Sequence, residues 1–218
     1  KYGWLRFYYT GGASWTGDLA LDDIQVSVEP YPTSAPTQTL MPTMTLAPTS
    51  APSPVPTVTP TTYASSFSGL STLCQSNNTD IMVTGNILFT GTITVSAKSN
   101  IRITSTTGAR LISGGSWAWY GGLFFIENSS SVTFSGLQFV GGNAYYDGGC
   151  VYVHYSTVNI RNSIFTSCTA TYRGAGVYYE ASTAIFNHTT FSSCSAYIGG
   201  GGTFLDSTAT VADATFSS

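Results

Sequence analysis

The chain has 218 residues, of which 8% are charged, and a formal net charge of −3. That length holds one or two domains, and the small acidic charge excludes the basic patch that a nucleic-acid partner needs. Gly, Tyr, Phe, Ser and Thr dominate where a helical protein would carry Leu, Ala, Glu and Lys, so a mainly helical fold is excluded. No apolar stretch reaches the roughly 20 residues of a membrane helix, so no membrane span is expected in this sequence. The first ten residues, KYGWLRFYYT, read as a strand and not as a signal peptide, so Lys1 is not expected to be the true N-terminus.

Three parts follow in chain order: residues 1–29, 30–62 and 63–218. In the first, Gly17-Asp18-Leu19-Ala20-Leu21-Asp22-Asp23-Ile24 resembles the closing G-D-I-A-I-D-D-I signature of MAM domains. The resemblance covers about 28 residues and implies the last strands of a jelly-roll sandwich from an extracellular adhesion module. So short a piece cannot bury a core by itself. Asp18, Asp22 and Asp23 are weak candidates for a calcium site; such residues more often hold a turn.

All nine prolines lie between Pro30 and Pro60, and no charge occurs between Glu29 and Asp80. Proline denies this segment both helix and sheet interior. It reads as a polyproline II stalk spanning on the order of 90 Å. Thr beside Pro marks O-glycosylation, with Thr33, Thr37, Thr43, Thr49, Thr57, Thr59, Thr61 and Thr62 as acceptors. The alternative is an unmodified flexible linker. Three N-glycosylation sequons begin at Asn77, Asn128 and Asn187. In a charge-poor, Thr-rich chain they place the protein outside the cell or on its surface.

The third part is a repeat. Val132–Phe139 aligns with Val158–Phe165, Ala184–Phe191 and Ala209–Phe216, in steps of 26, 26 and 25 residues. Gly122, Gly148, Gly174 and Gly200 keep the same period, and Cys168 and Cys194 each follow their Phe by three residues. Two short strands per unit are too few for a propeller blade, and no helical period is present. A unit of 25–26 residues with several strands predicts an all-β, right-handed parallel β-helix solenoid. Phe165–Gly176 carries F-x-x-C-x-A-x₃-G-x-G, which resembles the repeats of polymorphic outer-membrane proteins and of pectin-lyase-like β-helices. Cys168 and Cys194 stand where those repeats often have Asn. No polar cap follows Phe216, so the solenoid is expected to be open there.

Equivalent residues on neighbouring coils lie about 4.8 Å apart. Phe139, Phe165, Phe191 and Phe216 are therefore one core ladder. Val151, Val177 and Thr203 are expected to point inward as one column, and Val153, Tyr179 and Leu205 as another. Ile126, Tyr152, Tyr178 and Phe204 are expected to point outward, as are Asn128, His154, Glu180 and Asp206. Tyr152, Tyr178 and Phe204 would then form an exposed contact ridge. Asp147 and Arg173 stack as a surface ion pair. Cys168 and Cys194 share a column within bridging distance; Cys74 and Cys150 would be the remaining pair, and a stack of buried thiols is the alternative. Four cysteines allow three connectivities.

Pectin-lyase-like folds imply enzymes that cleave acidic polysaccharides. Glu180 and Asp206, beside His154, are the only candidates for acid/base work, and no Arg or Lys accompanies them. No catalytic site and no cofactor are therefore expected, calcium being the single cofactor considered. The sequence instead predicts a structural glycoprotein that self-associates into a surface fibre, coat or flagellar-hair-like filament, with adhesive potential towards other surface glycoproteins or polysaccharide. The alternative is a carbohydrate-binding or carbohydrate-cleaving β-helix tethered by the stalk.

Overall fold

The computed structural model describes residues 62–115 and 117–217. The MAM-like strands, Asp18, Asp22, Asp23, the stalk, and the acceptors Thr33, Thr37, Thr43, Thr49, Thr57, Thr59 and Thr61 lie outside the described residues. Thr62 is the first residue of a strand, and its hydroxyl donates to the Asp80 carbonyl at 2.8 Å.

The described residues open with β1 (Thr62–Ala64) and α1 (Phe67–Leu73). Strands β2 (Thr79–Val83), β3 (Ile87–Phe89) and β4 (Ile93–Ser96) make the first full coil. The second holds β5 (Ser99–Thr104), β6 (Arg110–Ser113) and β7 (Phe124–Glu127). The third holds β8 (Ser130–Ser135), β9 (Gln138–Val140), β10 (Asn143–Ala144) and β11 (Val151–His154). The fourth holds β12 (Thr157–Thr166), β13 (Thr169–Ala170) and β14 (Val177–Glu180). The fifth holds β15 (Thr183–Ser192) and β16 (Gly202–Leu205), after which β17 (Thr208–Ser217) begins another coil. Every strand pairing is parallel and joins one coil to the next. The protein is an all-β parallel solenoid.

Three faces enclose the core. One runs through β2, β5, β8 and the first halves of β12, β15 and β17; a second through β3, β6, β9 and the second halves of those long strands. The third is β4–β7–β11–β14–β16. The long strands turn the corner between faces at Asn162, His188 and Asp213, each with positive φ. Gly136 turns the same corner between β8 and β9. Asn and Asp tolerate this left-handed backbone because their short polar side chains bond locally.

The interior confirms the period. Phe139, Phe165 and Phe191 are buried and stacked, at ring separations of 4.4 and 4.8 Å. Phe216 continues the stack at 5.0 Å but is 53% exposed, so the fourth member of the expected core ladder is not buried. Where the core wall turns, a second ladder closes it. The amides of Ser129, Ser156 and Ser182 donate to the hydroxyls of Ser156, Ser182 and Ser207 on the next coil, at 2.9, 3.0 and 3.0 Å. These turns therefore leave no orphan donors, which the low-dielectric interior would penalise.

Helix α1 is the one departure from β structure among the described residues. Ser66 caps it, accepting from the Gly69 amide at 3.2 Å, as a Ser N-cap does. Leu70 is buried, and Phe67 packs edge-on against Phe89 at 5.3 Å, so the helix lies over the first coil's core. No helix among the described residues is long and apolar enough to cross a membrane.

The glycine column is shifted from the expected one. The residues with positive φ are Gly121, Gly148, Gly174 and Gly199, not Gly122 and Gly200 at its ends. A Cβ on Gly148 would lie 2.7 Å from the Val151 carbonyl oxygen, so the turn excludes any side chain.

The disulfide joins Cys150 to Cys168, with a Cα separation of 5.6 Å; Cys74 and Cys194 are free. Both expected bridges, Cys168–Cys194 and Cys74–Cys150, are thereby corrected. The cause is Gly142, the residue below Cys168 in its column. A Cβ there would lie 2.6 Å from the Cys150 sulfur. The gap left by glycine admits that sulfur, which then meets Cys168.

Candidate functional site

On the third face, β11 and β14 pair as expected: Val151↔Val177, Tyr152↔Tyr178, Val153↔Tyr179 and His154↔Glu180. Their neighbours do not. Phe125, not Ile126, pairs with Tyr152, and Glu127, not Asn128, pairs with His154. On the other side Gly202, Thr203, Phe204 and Leu205 pair with Val177, Tyr178, Tyr179 and Glu180. The coils flanking this pair differ by one residue from the regular step, and a one-residue slip turns each side chain to the opposite face. Ile126 is therefore buried, and Phe204 stacks on Tyr179 at 5.4 Å inside the solenoid. Thr203 and Leu205 correspondingly leave the inward columns.

The expected contact ridge is not exposed. Tyr178 is fully buried, and Tyr152 is 6% exposed. The Tyr120 ring packs on Tyr152 at 5.0 Å, Phe125 stacks on it at 5.2 Å, and the Arg173 guanidinium lies 4.7 Å above the Tyr178 ring. Arg173 in turn holds Asp147 through two bonds of 3.0 and 2.9 Å. Asp147 is buried, so this is a bidentate pair sunk into the wall, not the surface pair expected. Such geometry is the stronger kind of ion pair.

Glu180 and Asp206 are not brought together. Glu180 faces Leu205 across the coil step, while Asp206 sits in the following turn with positive φ. The titratable column that does form is Glu127, His154 and Glu180. Glu180 accepts a 2.6 Å hydrogen bond from the Tyr152 hydroxyl. Burial first, and then the Glu180 carboxylate, lift the Tyr152 phenol far above its ordinary range. Burial does the same to Tyr178 and Tyr179. Among the described residues, no group of three or more His, Cys, Asp or Glu side chains is placed to hold a metal ion.

The exposed aromatic surface lies elsewhere, on the segment that enlarges the second coil. Ala118 bridges Ala144, and the Tyr145 and Tyr146 amides bond the Ala118 and Trp119 carbonyls at 2.7 and 3.0 Å. The Tyr172 amide then bonds the Tyr146 carbonyl at 3.0 Å. This edge aligns Tyr120, Tyr146 and Tyr172, whose rings stack at 5.4 and 5.6 Å. Trp119 stacks on Tyr146 at 5.6 Å and meets Tyr145 edge-on. Tyr197 stands in register with Tyr172 on the fifth coil, next to the Arg173–Ile198 bridge. Trp117 and Trp119 are each 67% exposed and Tyr197 72%. A signal for this stripe was present in the sequence: Tyr120, Tyr146, Tyr172 and Tyr197 recur in steps of 26, 26 and 25 residues.

Asn77 and Asn128 are exposed, and Asn187 is half-buried. Asn128 forms the wall of a groove of about 450 Å³ that runs over successive turns past Tyr155 to Ala181. No protein-family model matches the chain, and no curated protein or solved structure matches it either.

Proposed function

We propose that the chain is an extracellular structural glycoprotein, a protomer of a cell-surface fibre, coat or hair-like filament, and that it makes its contacts through the Trp117–Tyr197 stripe. The stripe is the observation that carries this reading. Exposed aromatic side chains gathered along one edge are what contact surfaces use, because rings lose little conformational entropy when buried. Here the rings are held by a regular backbone ladder, so the surface is pre-organised before a partner arrives. The Cys150–Cys168 bridge suits an oxidising compartment. Hydroxyl side chains and the three sequons supply solubility that a chain with 8% charged residues lacks. The test is sedimentation of the native glycoprotein across a concentration series. Association is expected, and the double variant Trp119→Ser, Tyr172→Ser is expected to abolish it. A single monomeric species at micromolar concentration, with no difference between wild type and variant, refutes the reading.

A second reading, a β-helix that binds or cleaves polysaccharide, is favoured by the Glu127–His154–Glu180 column beside the aromatic edge. Activity on acidic polysaccharide that disappears in Glu180→Ala would support it; unchanged activity in that variant would exclude this column from the chemistry.

A further inference from the structure

A groove lies over the Asn128 turn. At each turn a residue with positive φ marks the groove: Asn128, Tyr155 and Ala181 in successive coils. Ala181, the smallest of the three, takes up the least room in this column. Ser130, Thr157 and Thr183 bring hydroxyls to the adjoining wall. The floor is sealed, since the Ser156 and Ser182 hydroxyls are taken up by backbone groups of the coils they join. Tyr155 is 61% exposed, although it sits one coil step from Asn128. The groove's volume is about 450 Å³, and it is shallow and open to solvent.

We propose that this groove seats the first sugars of an N-glycan carried by Asn128 itself, with the apolar face of a sugar ring against Tyr155. The proposal rests on the extracellular reading above. In the attachment step, the Asn128 side-chain nitrogen attacks the anomeric carbon of an oligosaccharide linked to a polyprenyl diphosphate. The new N–C bond forms, the C–O bond to the diphosphate breaks, the diphosphate leaves with the bonding pair, and the amide nitrogen gives up one proton. Ser130 supplies the hydroxyl that the Asn128-Ser129-Ser130 sequon requires. Positive φ at Asn128 turns the residue out of the strand at the coil corner, where it is exposed. A tethered sugar there needs to travel only about one strand spacing, 4.8 Å, to reach the Tyr155 ring. Sugar hydroxyls would meet Thr157 and Thr183, and the ring would meet an aromatic face, the pairing of polar and apolar contacts that tyrosine serves well. The glycan would then run along the solenoid axis and brace the third, fourth and fifth coils from outside.

The test uses the full secreted chain bearing isotopically labelled sugars. Peptide mass spectrometry reads occupancy at Asn77, Asn128 and Asn187, and NMR reads the sugar protons. Asn128 is expected to be occupied, with protons of its proximal sugars shifted upfield by the Tyr155 ring current. Tyr155→Ser is expected to remove that shift with occupancy unchanged, and Ser130→Ala is expected to remove the glycan. Occupancy at Asn77 or Asn187 with Asn128 bare overturns the proposal and leaves the extracellular reading standing. Three bare sequons in the native protein overturn both. An occupied Asn128 whose sugar shifts are the same in wild type and Tyr155→Ser places the glycan in solvent and overturns the groove as its seat.

Discussion

Phe165→Ala tests whether the Phe ladder carries the stability of the middle coils. Phe165 is fully buried and lies between two stacked rings, Phe139 at 4.4 Å and Phe191 at 4.8 Å. Truncating a buried Phe costs about 3–5 kcal/mol, and the cost is highest where the walls cannot collapse into the cavity. Both walls here are strands locked in register by backbone bonds on either side, so little collapse is available. The two lost ring pairs, each worth about 0.5–1.5 kcal/mol beyond its area, are contained in that range and push the value upward within it. The loss should therefore sit at the upper end, about 4–5 kcal/mol, a large share of the roughly 5–15 kcal/mol of a typical domain. Because a solenoid couples mainly nearest neighbours, amides of β9, β12 and β15 should lose protection before those of β2 and β3. Urea unfolding followed by circular dichroism, with hydrogen exchange by mass spectrometry, measures both. Trp117→Ala, at an exposed position, is the control and should stay within about 0.5 kcal/mol of wild type. A cost below about 1 kcal/mol for Phe165→Ala, or equal costs for the two variants, would refute the reasoning.

Tyr179→Phe should stabilise the protein by about 1–2 kcal/mol, because the buried Tyr179 hydroxyl has no hydrogen-bond partner among the described residues; a lower urea midpoint would contradict this. Cys150→Ser should redirect the bridge to Cys168–Cys194 under air oxidation, since those residues stack one coil apart; tryptic mapping that recovers Cys168 alkylated would contradict it. Asp147→Asn should cost about 1–3 kcal/mol in the same urea assay, the open side of Arg173 softening the loss of a buried partner; a change below a few tenths would show the pair to be idle. Burial pushes the Cys74 thiol from 9.0 up to about 12 and also raises Tyr152, Tyr178 and Tyr179. Above the unfolded-chain values the unfolded state alone loses these protons, so stability is complete below pH 9 and falls as pH rises through the folded values. A urea midpoint that stays level from pH 8 to pH 11 would count against that burial.

The sequence by itself determined the solenoid, its period and its core ladder. Phe139, Phe165, Phe191 and Phe216 recur at constant phase, and a parallel stack is the arrangement that puts residues one period apart into contact. The same arithmetic reached Tyr152↔Tyr178 and His154↔Glu180, because the third and fourth coils are equal in length. It failed at Ile126, Asn128, Phe204 and Asp206, where coils are one residue longer or shorter. In a structure of period two, one residue reverses inside and outside, and no local composition marks where the slip is absorbed. The disulfide was beyond column counting as well: it depends on space above Gly142, a property of three strands together. Tertiary structure alone decided which aromatics face solvent. Tyr152 lies beneath Tyr120 of the preceding coil and Tyr178 beneath Arg173 from the turn before its own strand, whereas Trp117, Trp119 and Tyr197 stay open. Burial is set by what the rest of the chain lays over a side chain, and the local sequence specifies only the direction in which that side chain points.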